Sequence, residues 1–244
     1  MKNTNTNDII TIRKGCKDIW NAFMVRGATF TENDIPCCPT TAYTLPDTVI
    51  SYDEAKQIHK KTLRNGQTNY FINSFIHFWI DDYKFDGIRT GIWAMPFKAL
   101  TIIKHFSGII TPDFSTNSDY PEPIKKYNTY RMRAFGFWIS NQNIPVINNV
   151  RWGTEETWSY CWDGIPQNSI IAIGAAASGL KKSINRPLFE VGLQETVKQL
   201  RPSAIIIYGA PNYPIFDTLR KQNIVIKTFH SKMDLAFSKE LPHE

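Results

Sequence analysis

The residues best suited to chemistry in this chain are carboxylates and guanidiniums set beside apolar runs. Asp113 stands in Thr111-Pro112-Asp113-Phe114-Ser115, just after a very apolar run. A carboxylate where a buried strand stops either faces a ligand or caps its own loop, as Asp does in turns. Asp82 closes another aromatic-rich run, and the two acids suit carboxylate-based catalysis, with or without a divalent ion. Arg131 has a different setting. It shares the expected inner stripe of a helix over 122–142 with Ile124, Tyr127, Phe135, Trp138, Ile139 and Gln142. A buried guanidinium must meet an anion, since an unpaired one costs on the order of 3–5 kcal/mol. Its planar fork fits either a carboxylate, with Asp113 or Asp82 the expected partner, or a ligand phosphate. Arg133 lies to the side of that stripe and is expected at the surface or rim. In Asn148-Asn149-Val150-Arg151-Trp152-Gly153, Asn148, Arg151 and Trp152 offer an amide, a charged clamp and a stacking face for a base, a sugar or a phosphate.

Other chemistries find little support. The Gly174–Gly179 segment, followed by Lys181 and Lys182, is neither GxGxxG nor GxxxxGK[ST], so it makes a weak phosphate loop. There is no GxSxG elbow, and the five histidines show no HExxH or HxH spacing. Cys16, Cys37, Cys38 and Cys161 are too few and too unevenly placed for a disulfide scaffold. They read as reduced thiols and no metal site is assigned, although Cys16, Cys37 and Cys38 with a distant ligand such as His59 is a geometric alternative.

Positioning these groups requires alternating strands and helices. Pro36, Pro39 and Pro46 punctuate a Thr-rich stretch, so residues 1–50 read as an irregular extension packed on the body. Residues 51–232 read as one α/β domain and 233–244 as a tail. Ser51 is placed to cap a helix through Asn65, Tyr70 to Tyr83 reads as a strand, and Pro96 opens a second helix. Strands are expected over 91–95, 108–112, 144–150, 169–174, 204–208 and 223–228. Further helices are expected over 154–161, 187–200 and 213–222. Such alternation gives a mainly parallel sheet buried on both faces. It forms either an open doubly wound sheet or an incomplete TIM-like barrel. Polar residues after successive strands (Asp82, Asp113, Asn148, Ser178, Gly209) favour the barrel, where those ends converge on one mouth.

Composition narrows the function classes. The chain has 244 residues, 42% of them hydrophobic, which supports a substantial core. No apolar run approaches the ~20 residues that span a bilayer, and Met1 to Asp8 lacks the apolar region of a signal peptide. A cytoplasmic protein with no membrane partner is expected. A formal charge of +6 and a pI near 9.1 favour acidic partners, nucleic acid first.

Six segments resemble one family: HFWIDDYKFDGI (77–88), TPDFS (111–115), YNTYRMRAFGFW (127–138), IPVINNVRWG (144–153), CWDGIP (161–166) and LRPSAIIIYG (200–209). It is an uncharacterised family met in phages, plasmids and integrative elements, the domain of unknown function forty-four-seventeen. The resemblance covers about 51–227 and implies a mobile-element origin and a single α/β domain, with no activity. Its motifs single out Asp81, Asp82, Asp113, Ser115, Asn128, Arg131, Arg133, Trp152, Asp163 and Gly164. The chain departs from the family where an aromatic-Gln pair would follow Gly136, and in the Ala-rich 175–177 segment. Three functions are consistent with these residues. The first is an accessory protein binding nucleic acid or a phosphorylated ligand through Ser115, Asn128, Arg131, Asn148, Arg151 and Trp152. The second is a hydrolase using Asp82 and Asp113 on a phosphoester or glycosidic bond. The third is an inhibitor of a host protein in defence or replication.

Overall fold

The computed structural model describes residues 14–175, 180 and 186–231. The Lys181-Lys182 loop and the expected tail over 233–244 lie outside them. Among the described residues, seven strands form one sheet: β1 (Val49–Ser51), β2 (Ile72–His77), β3 (Phe106–Ile110), β4 (Val146–Asn149), β5 (Ile170–Gly174), β6 (Ala204–Tyr208) and β7 (Val225–Phe229). Every pairing is parallel and the spatial order is the chain order, β1 to β7. Among the described residues the order never reverses, so these strands contain no switch point of the doubly wound kind. The sheet also curls. The rings of His77 on β2 and Tyr208 on β6 lie 4.3 Å apart, whereas four strand spacings in a flat sheet would separate them by about 19 Å. Lys227 of β7 reaches Asp47, just before β1, at 3.6 Å. The fold is therefore an incomplete barrel.

Both faces of the sheet are covered, which is why its strands read as continuous apolar runs. Inside the curl, Phe75, Ile110, Ile147, Ala172, Ile206 and Tyr208 belong to one cluster. Outside, α1 (Tyr52–Arg64), α2 (Pro96–Ile103) and α3 (Glu122–Ser140) cover the first half of the sheet. The second half is covered by α4 (Arg186–Leu200) and α5 (Pro214–Lys221). Local chemistry starts α1 cleanly. The Ser51 hydroxyl accepts from the Glu54 N–H, and the Glu54 carboxylate accepts from the Ser51 N–H, a reciprocal capping box. No helix among the described residues is long and apolar enough to cross a membrane.

Three expected elements differ. Residues 91–95 are turns rather than a strand: the N–H of Gly91 bonds the Gly87 carbonyl at 2.7 Å, and the N–H of Met95 that of Gly91 at 2.8 Å. Residues 154–161 hold only a 3-10 turn, Glu155–Ser159, without a Thr154 side-chain cap. The sheet itself begins at Val49, inside the stretch expected to be irregular. The segment before it is built into the body. Thr41 exchanges hydrogen bonds with Val146 at 2.9 Å each, and the N–H of Cys38 donates to the Gly164 carbonyl at 2.8 Å.

Gly164 is a requirement of that junction. Its φ is +74°, and an added Cβ would stand 2.2 Å from the Pro36 carbonyl oxygen. Strain from the left-handed backbone, ~1–2 kcal/mol, adds to overpacking of ~1–3 kcal/mol against a backbone atom. Gly164→Ala should therefore destabilise the fold by about 2–5 kcal/mol in urea titrations. A cost below ~1 kcal/mol would mean that the 36–38 segment is not held there.

Candidate functional site

The strand ends converge on a cavity of about 680 Å³, lined by Asp82, Asp113, Ser115, Arg151, Trp79 and Tyr208 among others. Its floor is aromatic. Trp79 stacks on Tyr208 at 5.1 Å and on His77 at 5.2 Å, and the His77 and Tyr208 rings also meet, so the three form one aromatic cluster. Trp79 also reaches across to β5, where a Cβ on Gly174 would come within 2.4 Å of its ring. Only a glycine there admits the indole.

Asp113 follows β3 and is 7% exposed. One of its oxygens accepts from Asn149 Nδ2 at 2.7 Å and the other from Arg151 Nη1 at 2.6 Å. Asn149 in turn accepts from the Trp79 indole N–H at 3.0 Å, and Arg151 Nη2 donates to Asn117 at 3.3 Å. The ends of β2, β3 and β4 are thus bonded into one chain of polar groups. Burial pushes the Asp113 carboxyl above the ordinary carboxylate range, further than Arg151 and Asn149 pull it down. The folded chain then holds this proton more tightly than the unfolded chain. The resulting stabilisation is full below the unfolded value of about 3.9 and is lost as pH rises through the folded midpoint. In urea titrations the wild type should lose stability relative to Asp113→Asn as pH rises above about 4 and through the raised midpoint. A constant difference would mean that Asp113 titrates normally.

Asp82 accepts from the Ser115 hydroxyl at 3.0 Å and from the Ser115 N–H at 3.2 Å. Asn128 sits one bond behind the wall and donates to the Ser115 carbonyl. Arg131 sits two bonds behind it. Its partner is Asp86, bound through both oxygens at 2.9 and 2.7 Å, rather than Asp113 or Asp82. The anion demanded by the apolar seam is therefore supplied by the turn after β2.

Asn148 and Trp152 face away from the cavity. Asn148 Nδ2 donates to the Cys38 carbonyl and to the Thr40 hydroxyl. Trp152 packs on Phe189 and over Gly192, where no side chain would fit. Asn149, one residue on, takes the inward position that the sequence reading did not single out; every residue of β4 is buried, so no polar face marked the parity. Arg133 is fully buried, not at the rim, because the stripe of α3 is wider than an apolar count suggests and also takes in Asn128 and Thr129. Trp79, Tyr208, Ser51 and Lys84 also line the cavity without having been expected there.

Among the described residues, no three His, Cys, Asp or Glu side chains converge as a metal site. Burial pushes the Cys38 and Cys161 thiols up to about 12, which keeps them protonated at neutral pH.

The family model of a domain of unknown function (DUF4417) matches residues 28–230. The chain belongs to this family. Two curated relatives are phage proteins, each named Gene 1 protein. That of Mycobacterium phage D29 is 33% identical over 139 residues, 57% of this chain and 49% of the phage protein. That of Mycobacterium phage L5 is 33% identical over 135 residues, 55% of this chain and 56% of the phage protein. The chain spans about half the length of these relatives. No solved structure matches it. Several positions that the family resemblance singles out now have physical roles. Gly164 admits the Pro36 backbone, and Asp163 accepts from Thr31 and Asn33 at 2.7 and 3.0 Å.

Proposed function

We propose that the mouth of the incomplete barrel is a hydrolytic site in a phage-related protein, with Asp113 as its acid–base group and Asp82 as the second carboxylate. The observation that carries this reading is the placement of Asp113. It is a buried carboxyl, oriented through both oxygens, on a cavity at the C-terminal ends of parallel strands. A carboxyl whose proton is retained at higher pH suits proton donation to a leaving group. A glycosidic bond fits the described wall better than a phosphoester. Asp53, Asp81, Asp82 and Asp113 face only Lys84 and Arg151, and both cations are already paired, Lys84 with Asp81 at 2.9 Å and Arg151 with Asp113 at 2.6 Å.

A phosphorylated or nucleic-acid ligand is the second reading, favoured by the partly exposed Arg151, whose fork could exchange Asp113 for a phosphate. The two are separated by incubating the full chain with para-nitrophenyl glycosides and with bis(para-nitrophenyl) phosphate, each with and without magnesium. Nitrophenolate release from a glycoside supports the first reading. Release from the phosphodiester alone moves the bond class. No release from either, together with salt-dependent binding of an oligonucleotide, replaces hydrolysis with binding.

A further inference from the structure

Asp113, Phe114 and Ser115 leave β3 in alternating directions and meet three different environments. Asp113 faces the cavity. Phe114 is wholly buried on the other side, with the Arg131 guanidinium carbon 3.9 Å from its ring centre. Ser115 returns to the wall, holding Asp82 through its hydroxyl and N–H while its carbonyl accepts from Asn128. Asn128 Oδ1 accepts from Arg131 Nε at 3.1 Å and from Nη2 at 2.6 Å, and Nη1 is held by Asp86. Every nitrogen of the guanidinium is engaged, and its flat face lies on Phe114. A lysine ammonium could not make these contacts together.

We propose that Arg131 is a positioning residue for the mouth: anchored by Asp86, it fixes Phe114 by stacking and Ser115 through Asn128, and so sets where Asp113 and Asp82 stand relative to each other. This rests on the mouth being the functional site.

The test is carbon-13 NMR titration of the aspartate carboxyls in the full chain. Removing the Arg131 and Asp86 side chains together takes away one positive and one negative charge, so a changed Asp113 titration reports movement rather than a lost net charge. The double variant Arg131→Leu with Asp86→Leu removes the pair without orphaning either charge. Its Asp113 midpoint should fall by about half a pH unit or more, a roughly threefold change in proton affinity. The Trp79 indole N–H resonance should move with it, through Asn149. Asn128→Ala keeps the ion pair and the Phe114 stack but cuts the link to Ser115. It should shift Asp113 in the same way, and it decides the matter if the double variant does not fold. A wild-type titration of Asp113 in either folded variant would overturn the proposal. Absence of hydrolysis alongside the expected shifts would sink only the hydrolase reading.

Discussion

Arg133→Met is expected to destabilise the fold by about 3–5 kcal/mol. The guanidinium is fully buried, and its hydrogen bonds among the described residues go to backbone carbonyls. Nε donates to the Asp163 carbonyl at 3.0 Å, Nη1 to that of Asn149 at 3.0 Å and Nη2 to that of Cys161 at 3.1 Å. Burial lowers its pKa to about 10, so it stays charged at neutral pH. Methionine fills much of the volume and removes every donor. Each orphaned carbonyl costs ~1–3 kcal/mol, offset in part because a cation no longer has to be desolvated. For a chain of this size the loss corresponds to a fall in Tm of roughly 6–20 °C. Arg133→Lys should recover only part of it, since one ammonium cannot span three carbonyls set around a planar fork. A loss below ~1 kcal/mol for the methionine variant would show that water satisfies those carbonyls instead. The variant should also loosen the mouth, because Asn149 is the residue that holds Asp113.

Asp113→Asn is expected to lower hydrolytic turnover by about 10²–10⁴-fold, the usual contribution of a positioned acid or base. The substitution is not neutral for the fold. Both carboxylate oxygens accept hydrogen bonds, so an amide sets its NH₂ against a donor of Asn149 or Arg151. Asn149 cannot turn its own amide without abandoning the Trp79 indole. The conflict costs ~1–3 kcal/mol. Against a fold stability of ~5–15 kcal/mol, that still leaves nearly every molecule folded, so a hundredfold loss of rate must come from the chemistry. The pH profile adds a second check. If Asp113 delivers the proton, the wild-type rate falls as pH rises through its raised midpoint, and the variant lacks that limb. A variant within tenfold of wild type would move the chemistry away from Asp113.

The elements were largely legible in the sequence, and so was the barrel-like form of the sheet. Pro96 and Pro214 stand at helix starts, and Ser51 with Glu54 forms a cap that any helix beginning there would use. Of the polar residues after successive apolar runs that pointed to a shared mouth, Asp82 and Asp113 line the cavity, Asn148 turns away from it, and Ser178 lies outside the described residues. Parity and partnership were not legible. Asn148 and Asn149 are adjacent amides in a strand buried on both faces, and only the register against β3 and β5 turns one to Cys38 and Thr40 and the other to Asp113.

By itself the sequence determined that apolar runs would alternate with helical periods, that a parallel sheet would carry carboxylates at its ends, and that a cation in the seam of α3 would require an anion. These follow from local propensity and from the cost of burying unpaired charge, which act along the chain. The tertiary structure alone decided that Asp86 and not Asp113 answers Arg131, that Arg133 is satisfied by carbonyls, and that Trp79 of the first strands touches Gly174 and Tyr208 of the last. Those pairings depend on how far the sheet curls. Curl is a property of seven strands packed together, and no window of residues along the chain contains it.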